Sequence, residues 1–333
     1  MPALTSLNNQ LDDLVDIFAK GARSDFQLRM NNPVAAEAEA SFNRIAPTTQ
    51  AKYISENFPG TFAIAEFEEF TGSVDYRGLN TYSINVASTE YARGVKFTRR
   101  ELIADQKNIA RLQRMPAVLA TQAQKVKYAN LATLLEANPT WEVDGVATFA
   151  DNHFFGDNNI SVNISDTTSP TEADVQLILD SVMQQFGTFV NDQGDPMTEI
   201  HNEMTKMVIV GKTGYSPIFR RVARQNFVPR SNAAIDNIDS DTFMYWGNQR
   251  LAAGTNVVYV VLAEAVDGSG NPLGESVPFV RTVFQNYDLL VGGEGGLNND
   301  PVYRNNRSVE ITSYGEEGLG VIDASRLMKV TLT

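Results

Sequence analysis

The spacing of apolar residues near the N-terminus predicts one short amphipathic helix. Apolar side chains recur there at helical spacing: Leu11, Leu14, Val15 and Phe18. A helix of this pattern would end at Gly21, and the segment that follows, to residue 50, shows no apolar periodicity that would build its own core. Residues 1–50 therefore indicate an arm that packs against something else, and a second copy of the chain is one candidate.

Between residues 58 and 97 the pattern changes to the alternation of β-strands. Apolar residues alternate with polar ones at a period of two: Phe62, Ile64, Tyr82, Ile84 and Val86. The acidic residues Glu68 and Glu69 lie between the two alternating runs, together with the turn-forming Gly72 and Gly78. We therefore expect a long two-stranded hairpin with an acidic stem, which alone in water would be marginally stable.

A long helix is predicted to follow this hairpin. Thr98 and Glu101 have the spacing of a capping box. The helical pattern then continues to Ala137, before Asn138-Pro139 ends it. At 1.5 Å per residue such a helix would span about 60 Å. Because Pro116 has no N–H to donate, we expect a kink near the middle.

The rest of the chain mixes helices and strands. Helices are predicted at 171–186, where Thr171 is the cap, and at 216–224, where Pro217 suits the first turn. Strands are predicted at 207–210, 257–262, 277–284, 308–313 and 328–332. The glycine-rich segment 287–301 is predicted to be a mobile loop. Because the elements neither alternate regularly nor segregate, the fold class is α+β.

The amino-acid composition excludes several kinds of functional site. The chain has 333 residues, 43% of them apolar, which is enough for one large domain or two. It has no cysteine, which excludes disulfides and thiolate metal sites, and only two histidines. The N-terminus lacks a secretory signal, and the longest apolar run, 257–263, is too short to cross a bilayer. We expect a cytosol-like compartment and no membrane partner.

Charge is distributed unevenly along the chain. The net charge of −13 makes the molecule as a whole repel nucleic acid and anionic lipid. Residues 128–205 hold 13 acidic residues and no basic one, whereas residues 93–127 hold nine basic and two acidic ones. A second basic block at 212–230 has five basic residues and no acidic one. These blocks are either solvated faces or, because they have opposite signs, surfaces that favour self-association in a fixed orientation.

The basic residues of the long helix leave two partners open. They are Arg99, Arg100, Lys107, Arg111, Arg114, Lys125 and Lys127. One face of the helix could contact nucleic-acid phosphates without sequence specificity, but no aromatic residues interleave with the basic ones for base stacking. Pairing with acidic neighbours in an assembly is the favoured alternative.

Three short motifs invite a catalytic or binding interpretation, and none specifies a reaction. Lys212 follows an apolar strand, but Lys206 occupies the position where a phosphate loop needs glycine. His201 and Glu203 could supply two metal ligands, with no third ligand nearby in sequence. Residues 267–271 resemble part of a calcium loop but lack its later glutamate. We therefore expect no catalytic residue, no cofactor and no metal site.

Several segments together resemble a known family. The entry to the long helix reads Val95-Lys96-Phe97-Thr98-Arg99-Arg100-Glu101, and a later segment reads Asp144-Gly145-Val146-Ala147-Thr148-Phe149 with His153 four residues on. The helix, strand and helix at 171–186, 207–210 and 216–224 and the closing strands at 309–332 follow in order. These features resemble the major capsid proteins of tailed bacteriophages, the Hong Kong 97-type shell fold, and are most similar to the Mu-like major head subunit family with its D-G-x-x-x-F-x-x-x-H segment.

The resemblance covers about residues 55–333 and implies a division of labour. Residues 1–55 would be an N-terminal arm and 56–97 an extended E-loop. Residues 98–165 and 306–333 would form the peripheral domain around a spine helix, and 166–305 the axial domain. Hexamers and pentamers of such chains close into an icosahedral shell around double-stranded DNA, without sequence-specific binding. The implied location is the virion, assembled in the bacterial host cytoplasm, and the implied further partners are scaffold, portal and decoration proteins.

In such a shell the functional residues are interface residues. We expect the E-loop acids Glu66, Glu68 and Glu69 to lie against basic residues of an adjacent subunit. The basic candidates are Arg99, Arg100, Arg220, Arg221 and Arg224. Two alternatives stay open. One is an encapsulin-type compartment that encloses protein cargo, and the other is a metal- or nucleotide-dependent enzyme that uses His201, Glu203 or Lys212.

Overall fold

The chain forms two units, each with its own apolar core. Unit 1 is Met1–Ala36, Ser88–Lys127 and Val283–Gly318, and unit 2 is Glu37–Ala87, Tyr128–Thr282 and Leu319–Thr333. The computed structural model describes residues 21–32, 36–61, 81–98, 100–101, 106–191, 194, 197, 207–224, 227–230, 233–236, 243–252, 256–263, 277–292 and 308–333.

Six helices and thirteen strands lie within the described residues. The helices are α1 (residues 21–31), α2 (Ala36–Ile45), α3 (Gln106–Gln124), α4 (Val126–Ala137), α5 (Glu172–Phe186) and α6 (Ser216–Arg224). The strands are β1 (Thr48–Gln50), β2 (Ser55–Thr61), β3 (Thr81–Ala87), β4 (Thr89–Thr98), β5 (Asn159–Val162), β6 (Met207–Gly211), β7 (Phe227–Arg230), β8 (Ala233–Asp236), β9 (Phe243–Gly247), β10 (Val257–Leu262), β11 (Phe279–Val291), β12 (Ser308–Val321) and β13 (Leu327–Leu332).

Unit 1 joins side chains of α1 and α3 with those of β4, β11 and β12 in one apolar core. The strand order in this unit is β11-β12-β4, with β12 antiparallel to β4. The buried side chains alternate along the strands and recur on the helices; they include Phe26, Phe97, Leu112, Leu119, Leu289 and Ile311. Arg23 Nε on α1 donates to the carbonyl of Leu289 at 3.0 Å, and Gln27 Nε2 donates to that of Tyr287 at 3.2 Å. The helix therefore covers carbonyls of β11 that would otherwise need other partners.

Unit 2 is built on a mixed five-stranded sheet. The strand order is β5-β13-β10-β6-β9, with β10 antiparallel to both of its neighbours. All five residues of β6 are buried, as expected for a strand covered on both faces. Helices α2, α4, α5 and α6 add apolar side chains to this core, including Phe42, Leu131, Ile178 and Phe219.

A two-stranded hairpin is confirmed for β2 and β3 only. These strands are antiparallel, with Ser55 opposite Ala87 and Thr61 opposite Thr81, whereas the later residues of the predicted hairpin form β4, which pairs with β12. The predicted strand residues Phe62 and Ile64 and the acidic stem with Glu68 and Glu69 lie at residues 62–80, outside the described residues.

The mixed α+β class is confirmed, and three local predictions are wrong. The helix predicted to run unbroken to Ala137 is interrupted at Lys125, whose N–H donates to the carbonyl of Gln122 at 3.1 Å. Pro116 lies inside the helix before this interruption, and the kink expected there stays a prediction. Gly21 is helical instead of ending a helix. The loop predicted from residue 287 begins later, because β11 continues to Val291 with Leu289 fully buried.

No helix in the described part of the chain is both long and apolar enough to cross a membrane.

Candidate assembly surfaces

Helix α6 presents a basic face on unit 2. Phe219 and Val222 are fully buried on its inner side, whereas Arg220 and Arg221 are exposed. Arg221 Nη1 lies 3.3 Å from Glu172 Oε1, with 61% of the arginine side chain exposed. An ion pair this exposed contributes little to stability, so Arg221 can exchange Glu172 for another carboxylate at small cost.

Of the other predicted interface residues, only Arg100 has a described side chain. Arg100 is exposed in a helical segment just after β4. Arg224 ends α6, and its side chain is outside the described part of the structure, as are Arg99, Glu66, Glu68 and Glu69. The pairing of E-loop acids with these arginines stays a prediction.

Beside α6, the start of α5 is held by a capping box. The Thr171 hydroxyl accepts from the N–H of Asp174, and the Asp174 carboxylate accepts from the N–H of Thr171 at 2.8 Å. The same carboxylate accepts from the N–H of Ser165 at 2.9 Å and from its hydroxyl at 2.6 Å. Burial alone would raise the pKa of Asp174, but these hydrogen bonds from Ser165 and Thr171 outweigh it and lower the pKa to about 2.

The D-G-x-x-x-F-x-x-x-H segment forms a rigid loop around His153. His153 Nδ1 lies 2.6 Å from Asp144 Oδ2, and Nε2 lies 3.2 Å from the carbonyl oxygen of Thr148. Both ring nitrogens of this buried histidine therefore lie within hydrogen-bond distance of an oxygen of the same loop. Asp144 Oδ1 also accepts from the N–H of Val146 at 3.0 Å, across Gly145, which has a φ of 74° that favours glycine. The structure gives His153 a positioning role within this loop.

The same loop presents an aromatic side chain to solvent. Phe154 is 40% exposed and stacks on the buried Trp141, with ring centroids 6.1 Å apart. Asp151 and Asp157 flank it and are exposed. Asn158 fixes the end of the loop, since its side chain accepts from the N–H of Ala150 and donates to the carbonyls of Thr148 and Ala324. We refer to residues 151–157 as the Phe154 turn.

Helix α3 and Lys125, the residue that follows it, form an exposed basic stripe on unit 1. It consists of Arg111, Arg114, Val118 and Lys125, all exposed, with Val118 at 45%. Residues 106–127 contain five basic residues and no acidic one. We refer to these four residues as the α3 basic stripe. The sequence alone shows that this segment is basic, but which of its valines is exposed between the basic residues depends on how the helix packs.

The remaining candidate motifs show no catalytic arrangement within the described residues. Lys212 Nζ lies 4.3 Å from the ring centroid of Tyr215 and 3.4 Å from Asn256 Oδ1, so it packs on its own unit after a strand end. His201, Glu203 and residues 267–271 lie outside the described part of the chain. No group of three or more potential metal ligands occurs among the described residues.

Comparisons with known proteins identify the fold. No protein-family model matches the chain, and no curated protein matches its sequence. Solved structures do match. A chain from Mycobacterium phage Patience is 14% identical, with 96% of this chain and 88% of that one covered at a TM-score of 0.50. A chain from the mature capsid of bacteriophage PhiM1 is 10% identical, with 88% and 86% covered at a TM-score of 0.52. The chain has the Hong Kong 97-type capsid fold.

A third solved structure is also similar over most of both chains. A chain from a virus-like particle from Pyrococcus furiosus is 10% identical, with 93% of this chain and 98% of that one covered at a TM-score of 0.50. The resemblance noted in the sequence is therefore confirmed for the fold, and the specific likeness to the Mu-like head subunits stays a prediction.

Proposed function

We propose that this chain is the major capsid protein of a tailed bacteriophage, and that it acts through shape and self-association instead of catalysis. The observation that carries the proposal is the match in fold over most of both chains to a subunit of the mature PhiM1 capsid. A match over 88% of this chain leaves little of it for a separate catalytic domain.

The proposed assembly consists of hexamers and pentamers of this chain in an icosahedral shell around double-stranded DNA. The net charge of −13 supports enclosure without tight binding, because an acidic wall repels the phosphate backbone. Scaffold, portal and decoration proteins are the further proposed partners. The proposed location is the virion, after assembly in the host cytoplasm.

Within this proposal the chain is divided as the resemblance implies. The arm is 1–55, the E-loop is 56–97, the peripheral domain is 98–165 with 306–333, and the axial domain is 166–305. The paired strands β2 and β3 support an extended E-loop, because a two-stranded ribbon alone is marginally stable and gains from packing on a neighbour.

Electron microscopy of the purified protein tests the proposal, both alone and coexpressed with its neighbouring genes. We expect closed shells, or rings of five or six, with nuclease-protected double-stranded DNA in the particles made with the neighbours. Shells that contain protein cargo and no DNA would favour the encapsulin-type alternative. A strictly monomeric protein in every preparation would contradict both.

The proposed E-loop contact has its own test. The double variant E68K/E69K replaces two carboxylates by ammonium groups, which like-charge repulsion should keep away from the arginines proposed to receive them. We expect the assembled fraction to fall while circular dichroism and the melting temperature of the unassembled chain stay unchanged. The variant E68Q/E69Q removes the charge without reversing it and should have a smaller effect. Normal shells from E68K/E69K would contradict the pairing.

A further inference from the structure

The Phe154 turn is built as a rigid projection. His153 and Asn158 bind carbonyls and N–H groups of the surrounding loop, and Trp141 supports the Phe154 ring from below. Ordering this turn on binding would therefore cost little conformational entropy. Its outer surface combines one aromatic ring with two carboxylates, those of Asp151 and Asp157. Within the described residues neither carboxylate makes an ion pair.

The α3 basic stripe has the complementary composition. Val118 is its apolar centre, and Arg114 lies one turn before it, about 6 Å away along the axis. Arg111, Arg114 and Val118 lie at positions i, i+3 and i+7, which places them on one face of α3, and Lys125 follows the last residue of the helix. Arg114 and Lys125 make no ion pair with any described residue.

We propose that the Phe154 turn of one copy docks on the α3 basic stripe of a second copy. The Phe154 ring covers Val118, and the two carboxylates of the turn meet the flanking basic side chains. Charge complementarity selects this occupant, because the acidic block of the chain supplies the turn and a segment with basic residues and no acidic one supplies the stripe. The inference rests on the proposed self-assembly and specifies one of its contacts.

The geometry of this contact has a consequence for assembly. The turn lies in unit 2 and the stripe in unit 1, so each copy offers one surface of each kind. Such a contact between two different surfaces is heterologous, and it generates a ring where the rotation between copies closes, whereas a two-fold contact generates a dimer. Rings of five and six copies in the proposed shell need a contact of this type.

A charge exchange tests the proposal. D151K/D157K and R114E/K125E each place like charges across the contact, and each should lower the assembled fraction at least about tenfold. The chain that carries all four substitutions restores opposite charges and should recover assembly. E90K/E316K is the control matched to D151K/D157K, because it makes the same change in net charge at two facing positions on the sheet of unit 1 and should assemble like the wild type.

Cross-linking gives a second readout. The chain has no cysteine, so N152C in the turn and Q122C beside the stripe provide the only thiols. Mild oxidation of the variant with both cysteines should give a ladder of cross-linked chains, and either cysteine alone should not.

If the wild type forms no shells, the proposed function fails. If the wild type forms shells, but the reversals have no effect or the fourfold exchange recovers nothing, this contact fails and the function stands.

Discussion

Asp174 shows how one carboxylate organises the entry to a helix. It accepts four hydrogen bonds from Ser165 and Thr171, and it is nearly buried at the first turn of α5. The Thr171 cap was predictable because a capping residue precedes a helical run in the sequence. The contribution of Ser165 was not, since it comes from a preceding loop whose path depends on tertiary packing.

We predict that D174N lowers the free energy of unfolding by about 1–2 kcal/mol at pH 7, since a cap and charge-assisted hydrogen bonds are weakened. The pKa of Asp174 is lowered from 3.8 to about 2 in the folded chain. Its ionised form therefore stabilises the fold above pH 4, and that contribution is lost as the pH falls toward 2.

Urea unfolding of the unassembled chain at several pH values between 7 and 2 measures this effect. The difference between wild type and D174N should shrink as the pH falls. S165A serves as a comparison, because it removes only the hydroxyl donor to Asp174. A difference that stays constant down to pH 2 would contradict the assigned role of the charge.

At the scale of elements, the hairpin is anchored where β3 meets the end of β12. A Cβ built on Gly320 would lie 2.4 Å from Cγ2 of Val86, which is 2% exposed. Valine is stiff about χ1 and cannot swing away cheaply. We predict that G320A destabilises the fold by about 1–3 kcal/mol through this overlap, measured by thermal or urea unfolding.

A double-mutant cycle separates this overlap from other effects. V86A makes room for the new methyl group, so the double variant G320A/V86A should lose less stability than the sum of the single variants. Gly214 is the matched control glycine, because a Cβ there would meet no atom within 4 Å. Additive losses in the double variant would show that the close approach is not the cause.

Elements with strong local signals were predictable, and those that depend on packing were not. The apolar run 257–263 lies between Asn256 and Glu264, and the strand predicted at 257–262 is β10 with the same bounds. The extension of β11 through Leu289 was missed because Asp288 and the following glycines favour a loop locally. That extension is stabilised by burial of Leu289 and by donors from α1, which lies more than 250 residues earlier in the chain.

At the scale of the whole molecule, charge divides along the boundary between the units. Unit 1 contains 14 basic and 13 acidic residues, whereas unit 2 contains 13 basic and 27 acidic ones. The sequence shows this division as an acidic block that starts after Lys127, and the structure places the division at the same residue. The order of elements was enough to predict the capsid fold. Which surfaces meet between copies was not, because that depends on exposed side chains of two molecules.

Cryo-electron microscopy of the particles formed by the purified chain is the most direct measurement of the central claim. We predict a closed icosahedral shell, one subunit thick, in which this fold repeats in rings of five and six. A chain that remains monomeric, or forms only small open oligomers, under every condition and with its neighbouring genes coexpressed would contradict it.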